Sequence, residues 1–385
     1  MHQPSVRDAT LARARALGPA IAAAVPEIEA RRRLPPALVE ALHEARMFRL
    51  LLPRAVGGEE VDPGTYLLTI ATVARHDASV AWNLFVANST VLIAAYLPPT
   101  TAAEIFRNPR TVVAWGPPNE VVADAVPGGY RVSGRFDFAS GCHLANWMGV
   151  HCRVRETDGS FRLNHIGRPA IRTLLFPAEH ATLLDNWNPI GLRGTASDSY
   201  TVAEVFVPEA FSGTREDPGE CLEAGPLYAF TQAGLYAVGV AGVALGTAEA
   251  MRRAFLELAT NKTPRGLALL ADDQVVQHGV ALAAARLGAA EAWLLAILHA
   301  QYGQMPHGTE ERARLRLGCV HAIHEALAVC DATHKAAGVD AIFPGSPFEQ
   351  RFRDMHTLSQ QIQSRGSHYT AVGQVLLGRP PVNFL

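Results

Sequence analysis

This sequence predicts a mainly helical α+β fold in three parts: an N-terminal all-helical domain over residues 1–110, a central antiparallel β-barrel or sandwich over 111–215, and a C-terminal four-helix bundle over 216–385. Three observations carry the prediction. Ala, Leu and Arg dominate the early chain, with apolar residues at helical spacing. From Thr111 to Pro208, short β-branched or aromatic runs alternate with turn residues. After Pro226 those runs stop and Ala/Leu/Arg-rich stretches return.

Taken in order, Thr10 to Ala30 reads as helix, and Pro35-Pro36 opens an amphipathic run in which Leu38, Leu42 and Ala45 share one stripe. Gly57-Gly58 interrupts the pattern after Leu50-Leu51-Leu52-Pro53. Helices follow from about Gly64 to Ala74 and from Ser79 to Tyr96, the second stopped by Pro98-Pro99. Strands are expected from Thr111 to Trp115, at Tyr130-Arg131-Val132 behind the Pro127-Gly128-Gly129 turn, and from Tyr200 to Pro208. Breaks near Pro264-Arg265-Gly266, Pro306-His307-Gly308 and Phe343-Pro344-Gly345 divide the remainder into about four helices.

The 385 residues can bury a large core, and 49% hydrophobic against 18% charged residues suits a folded protein that buries further surface in an oligomer. A formal charge of −2 offers no basic face for nucleic acid. The start, Met1-His2-Gln3-Pro4 followed by Arg7, Asp8, Arg13 and Arg15, lacks an uninterrupted apolar signal region. The most apolar run, Leu235 to Ala250, is rich in Gly and Ala. It reads as a buried helix too short to span a bilayer, so no membrane association is expected. Five scattered cysteines without a C-x-x-C pair suit a reducing cytoplasm and indicate neither zinc nor a disulfide framework.

Several stretches resemble the acyl-CoA dehydrogenase superfamily. Leu42 to Asp62, with Phe48-Arg49-Leu50 and Pro53 to Gly58, is similar to its N-terminal helix-to-loop signature. Gly134 to Gly141, closing on Asn146-Trp147, resembles the strand lining the flavin ring. Gly191 to Ser197, running into Val205-Phe206-Val207-Pro208, resembles the strand pair that closes the β domain, and Arg353-Asp354 to Gly378 the final helix region. These landmarks stand in family order. They imply an acyl-CoA dehydrogenase-like fold, an isoalloxazine ring between the β domain and the bundle, and a homotetramer.

The same resemblance points away from dehydrogenation, which needs a carboxylate beside flavin N5 to remove the proton α to a thioester. The family places a Glu shortly after its Arg-Asp pair, but Gln360-Gln361-Ile362-Gln363-Ser364 holds no acid. The alternative position on the first bundle helix falls at Leu235-Tyr236-Ala237, also uncharged. The sequence is closer to the two-component flavin-dependent monooxygenases, which use reduced FAD or FMN and O2 on a small-molecule substrate. Phe138-Ala139-Ser140-Gly141 matches that branch, and a hydroxyl at Ser140 near N5 would slow loss of peroxide. The branch's two histidines are replaced by Gln361 and by Asn88, amides that hydrogen-bond but exchange no proton near neutral pH.

The candidate catalytic residues are therefore Ser140, Gln361, Asn88 and His356, the last if its helix is irregular. The candidate flavin contacts are Trp115, Phe138, Ala139, Ser140, Arg193, Thr195, Ser197 and Arg265, with Arg265 reaching a neighbouring subunit's cofactor. His143 follows the flavin strand and is placed at pocket or surface; His321 and His324 read as core or solvated rather than metal ligands. No G-x-G-x-x-G opens a βα unit and no Walker loop occurs, so a separate NAD(P)H-dependent flavin reductase would supply the electrons. Two other readings stand beside this one: a dehydrogenase with a displaced base, Glu223 being the nearby acid, and a flavin-binding or assembly subunit without catalysis.

Overall fold

The computed structural model describes residues 5–164, 167–214 and 218–382, and these form eleven α-helices and one mixed β-sheet; the start of the chain at residues 1–4 lies outside them. The N-terminal helices are α1 (Val6–Ala16), α2 (Gly18–Arg31), α3 (Pro36–Glu44), α4 (Pro63–Ala74), α5 (Ala78–Thr90) and α6 (Pro99–Phe106). The single helix expected over Thr10–Ala30 is two, divided at Leu17, and the run from Ser79 tightens into a 3-10 turn over Val91–Tyr96. Local signals explain the starts. Pro occupies the first turn of α3, α4 and α6, where its missing N–H costs nothing. Asp62 and Asp77 accept N–H bonds from Thr65 and Val80 at the starts of α4 and α5, caps worth about 1 kcal/mol each.

The strands are β1 (Val113–Trp115), β2 (Val122–Val126), β3 (Gly129–Phe136), β4 (Trp147–Arg155), β5 (Ile171–Pro177), β6 (Thr182–Leu183), β7 (Tyr200–Pro208) and β8 (Ser212–Gly213). They form one sheet in the order β6-β7-β3-β2-β4-β5-β8, with β1 also on β4. The antiparallel expectation needs correction, because β1 and β2 both pair with β4 in parallel. Only β2 and β3 among these are joined by a tight turn; longer connections returning to β4 permit the parallel pairings. Tyr130, Val132, Phe136, Val150, Val154, Tyr200 and Val207 make the sheet's own buried core.

The C-terminal helices are α7 (Gln232–Asn261), α8 (Gln274–Gln301), α9 (Thr309–Ala337), α10 (Glu349–Ser359) and α11 (Ser367–Leu376). The expected fourth bundle helix is thus two, separated by a 3-10 turn at Ile362–Ser364. One continuous apolar core joins α4 and α5 to α7, α8 and α9. Small residues set how closely α7 lies on α4: a Cβ at Gly246 would stand 2.2 Å from the Ala71 carbonyl oxygen. Three segments are long and apolar enough to cross a membrane by length and composition, namely Ala78–Tyr96, α7 and α8. That corrects the view that the Leu235–Ala250 run is too short, since it belongs to a 30-residue helix. The apolar windows of the first two are 100% and 89% buried in the protein, whereas that of α8 is only 28% buried.

The sheet and bundle meet where α10 docks on the loop before β7. Asp354 accepts the Leu192 N–H at 2.6 Å, and Arg353 donates to the Ile190 carbonyl and pairs with Glu29 at 3.0 Å. Burial, with repulsion from Asp77, pushes the Asp354 carboxyl up to about 8, and burial likewise raises Asp77 to about 6. Both groups hold protons more tightly folded than unfolded, so their stabilising contribution is complete below the unfolded value. It is lost as pH rises through about 6 for Asp77 and about 8 for Asp354. Thermal melts of wild type and Asp354→Asn between pH 5 and 9 check this: the wild-type midpoint declines toward pH 8, and the variant, which keeps an acceptor for Leu192, loses the upper part of that decline.

Candidate active site

Two facing loops and the start of α5 build the site. Phe138 follows β3 with φ +60° and stands 63% exposed, and Gly141 continues the bend at φ +76°. A bulky side chain in the left-handed region costs about 1–3 kcal/mol and persists where neighbours over-determine it. Here Ala139 N–H donates to the Asp198 carbonyl at 3.1 Å and Gly141 N–H to the Thr195 carbonyl at 3.0 Å. The opposing loop carries left-handed Leu192 (φ +51°) and Ala196 (φ +43°). Together they hold the Phe138 ring outward, edge-on to Trp187 at 6.3 Å.

Behind Phe138 runs a chain of hydroxyls. Trp82 Nε1–H donates to Ser140 Oγ at 3.0 Å; Ser140 and Ser197 hydroxyls are 2.7 Å apart, as are those of Ser197 and Thr195. Thr195 Oγ1 then donates to the Leu192 carbonyl at 2.9 Å. An indole only donates and a carbonyl only accepts, so the two ends fix every proton between them. Ser140 donates to Ser197, and Ser197 to Thr195. Each hydroxyl has its one proton committed, while Ser140 Oγ keeps one acceptor position.

An aromatic wall leads from this chain to the bundle. Trp82 meets Phe85 edge to face at 4.7 Å, and Phe85 meets Tyr236 of α7 at 5.0 Å. The Tyr236 hydroxyl bonds the Gln361 side chain; burial pushes the phenol above its ordinary range, and that bond offsets it slightly. Trp115 ends β1 with His151 edge-on at 5.0 Å. The loop after it runs against the strand before Phe138, since a Cβ on Gly116 would stand 2.2 Å from the Asp137 carbonyl oxygen. The fold therefore brings Ser140, Phe138, Thr195 and Ser197 together, with Trp115 beside them and Gln361 across the wall.

Other candidates lie elsewhere. Asn88 is fully buried and spends its whole amide on backbone: Oδ1 accepts from Leu50 and Leu51, and Nδ2 donates to Met47 and Leu84. Nothing is left for substrate or oxygen, so its place is structural. His356 faces away, paired with Asp331 of α9 at 2.8 Å and packed on Phe352. Ala139 is fully buried in the sheet core with its N–H taken. Arg193 turns outward to the Glu29 and Pro189 carbonyls. Arg265 lies exposed in the turn after α7. Glu223 neighbours Tyr228 and Cys221 rather than Tyr236 or Gln361. His143 bonds Asp198 at 2.6 Å, and His324 holds the Ser364 carbonyl at 2.8 Å. Ligand atoms of Cys142, His143 and Asp198 lie within 4.8 Å of one another, but His143 and Asp198 are bonded together and Cys142 donates to the Ala196 carbonyl.

Sequence reading missed Trp82 as a donor and Tyr236 as the wall's end. Trp82 was legible only as a landmark, because nothing in the sequence shows which strand loop its indole meets. Thr195→Val and Ser197→Ala test the chain: each leaves a buried hydroxyl short of a partner and lowers urea stability by about 1–3 kcal/mol, and the double variant loses less than the sum because one network is broken twice.

Known proteins resemble this chain in sequence and in fold. The family models "Acyl-CoA dehydrogenase, N-terminal domain" and "Acyl-CoA dehydrogenase, C-terminal domain" match residues 10–100 and 238–365, together more than half of the chain. The indole-3-acetate monooxygenase of Acinetobacter baumannii is 28% identical over 89% of this chain and 87% of its own. The FADH(2)-dependent resorcinol hydroxylase oxygenase component of Rhizobium sp. is 25% identical over 92% and 90%. Among solved structures, the HsaA monooxygenase of M. tuberculosis superposes with TM-score 0.89 at 25% identity, covering 98% of this chain and 99% of its own. XiaF from Streptomyces sp., in complex with FADH2 and glycerol, shares the fold with TM-score 0.90 at 24% identity, covering 98% and 97%. With fold and these matches in agreement, the chain belongs to the acyl-CoA dehydrogenase superfamily, among relatives that are flavin-dependent monooxygenase oxygenase components.

Proposed function

We propose that this chain is the oxygenase component of a two-component flavin-dependent monooxygenase, taking reduced FAD or FMN from a separate NAD(P)H-dependent reductase. Bound reduced flavin would supply the electrons that activate O2 for insertion into a small organic substrate. The matched relatives support the reaction class, and the Ser140 hydroxyl carries its assignment to this site. Its proton is committed to Ser197, which leaves one acceptor position on Ser140 Oγ, two residues along the chain from the exposed Phe138. Reduced flavin carries a proton on N5 and oxidised flavin an acceptor, so a serine able only to accept fits the reduced form. Phe138 would cover the ring's face, and the Trp82–Phe85–Tyr236 wall would exclude water from it.

Gln361 and Tyr236 contribute a neutral, hydrogen-bonded edge rather than an acid, which suits oxygen transfer without α-proton abstraction. Assembly as a homotetramer in the cytoplasm completes the proposal. The outward face of α8, with Val275 80% exposed, gives a second copy an apolar surface to cover.

Anaerobic titration with reduced and oxidised FMN and FAD tests the central claim: reduced flavin binds at least about tenfold tighter, a difference of one neutral-to-charged-scale hydrogen bond. In Ser140→Ala that preference shrinks, and more of the reducing equivalents escape as hydrogen peroxide. Equal affinity for both redox forms in wild type would remove Ser140 from this role. Light scattering on wild type should give four times the 41.3 kDa chain mass, and Val275→Glu with Leu282→Glu should give smaller species.

A further inference from the structure

We infer that Arg312 and Arg316 form an anion socket that selects a substrate bearing a carboxylate; this deepens the oxygenase reading and rests on it. The two arginines stand one turn apart on the same face of α9. Arg316 is only 3% exposed, donates through Nη1 to Gln363 Oε1, and has a buried Nε without any partner. Arg312 Nε is buried without a partner too. Among the described residues neither guanidinium has a carboxylate at ion-pair distance, in a chain whose other buried or half-buried arginines mostly have one or several carbonyls. A guanidinium stays charged, so burying it unpaired is costly, and like charges one turn apart on a helix repel. An anion relieves both costs.

The surroundings fit one. A small cavity lies between these arginines and the first turn of α7, lined by Thr231, Gly234, Ala237 and His307 as well. It has room for roughly one water-sized group. The start of a 30-residue helix contributes positive potential there. His307 faces the Gln301 carbonyl through Nε2, so that nitrogen holds a proton. The cavity also neighbours the proposed reaction site. The link runs through hydrogen bonds: Arg316 holds Gln363, the Gln363 N–H donates to Gln361 Oε1, and the Gln361 side chain bonds the Tyr236 hydroxyl. A flat carboxylate tip suits so small a space better than a tetrahedral phosphoryl group. The predicted substrate is an aromatic acid whose ring lies along Tyr236 and whose carboxylate reaches Arg316.

The test compares acid with isosteric amide. Binding of indole-3-acetate and indole-3-acetamide, and of 4-hydroxyphenylacetate and its amide, is measured by calorimetry on the full chain with and without reduced FMN. Wild type is expected to bind an acid at least about tenfold tighter than its amide. Arg316→Met abolishes that preference with the amide's affinity nearly unchanged, and Arg312→Met reduces it. Equal binding of acid and amide by wild type, binding of neither, or an unchanged preference in both variants overturns the proposal. In ligand-free protein Arg316→Met should melt no lower than wild type, because it removes an unpaired buried charge; a large loss would instead make Arg316 a brace for the Gln363 turn. Reduced FMN and reduced riboflavin form a separate arm. If Arg316→Met weakens FMN alone, the socket holds the flavin phosphate and the substrate claim falls. If no reduced flavin binds but the acid preference persists, the oxygenase reading fails while the socket stands.

Discussion

The docking of α10 on the loop around Gly191 is the contact on which the site depends. A Cβ at Gly191 would stand 2.2 Å from the Arg353 carbonyl oxygen, so the two backbones meet with no side chain between them. Asp354 then takes the Leu192 N–H, which sets Leu192 in its left-handed bend. That bend aims the Leu192 carbonyl at Thr195, the terminal acceptor of the hydroxyl chain. The order of protons from Trp82 to Leu192 is thus set by an interface between sheet and bundle. Segments far apart in sequence share one hydrogen-bond polarity because this interface leaves no slack.

The polar design is lopsided in a way that fits oxygen chemistry. Where a dehydrogenase needs a carboxylate, this protein places Tyr236 and Gln361 bonded to each other. Among the described residues the buried acids are Asp77, which caps a helix, Asp354, which anchors a loop, and Asp198, which bonds His143 and the Trp187 N–H. Cations are treated differently. Arg49 is buried but donates to the Val56 and Phe106 carbonyls, and Arg353 meets Glu29 and Glu349. Arg316 stands apart with a single neutral amide. Arg75 and Arg312 also leave a buried Nε without a partner, but of the three only Arg316 is buried as a whole residue.

Local pattern suffices for some elements of this fold. The Asp62-Pro63 and Asp77-Ala78 helix starts and the Pro127-Gly128-Gly129 turn are local in origin, and their elements form where spacing predicts. The Phe138-Ala139-Ser140-Gly141 stretch was legible as a site by resemblance. Its physical basis, an exposed aromatic held left-handed, is a tertiary property. Asn88 shows the opposite case. By resemblance it stands where the monooxygenase branch carries a histidine, and folding spends its hydrogen bonds on the backbone of residues 47, 50, 51 and 84.

The order of helices, strands and helices follows from composition and short-range spacing in the sequence, which need no knowledge of distant neighbours. The family, and the lack of an acid at either of its usual base positions, come from resemblance carried by motifs such as Phe138-Ala139-Ser140-Gly141 and Arg353-Asp354. Tertiary structure alone decided that β1 and β2 run parallel to β4 and that the last bundle helix breaks at Ile362–Ser364. It also decided that His356 faces Asp331, that Ser140 can only accept, and that Arg316 is buried without a counter-charge. These depend on partners from 25 to 58 residues away in sequence. Hydrogen-bond direction and desolvation are properties of the pair, which neither residue carries alone.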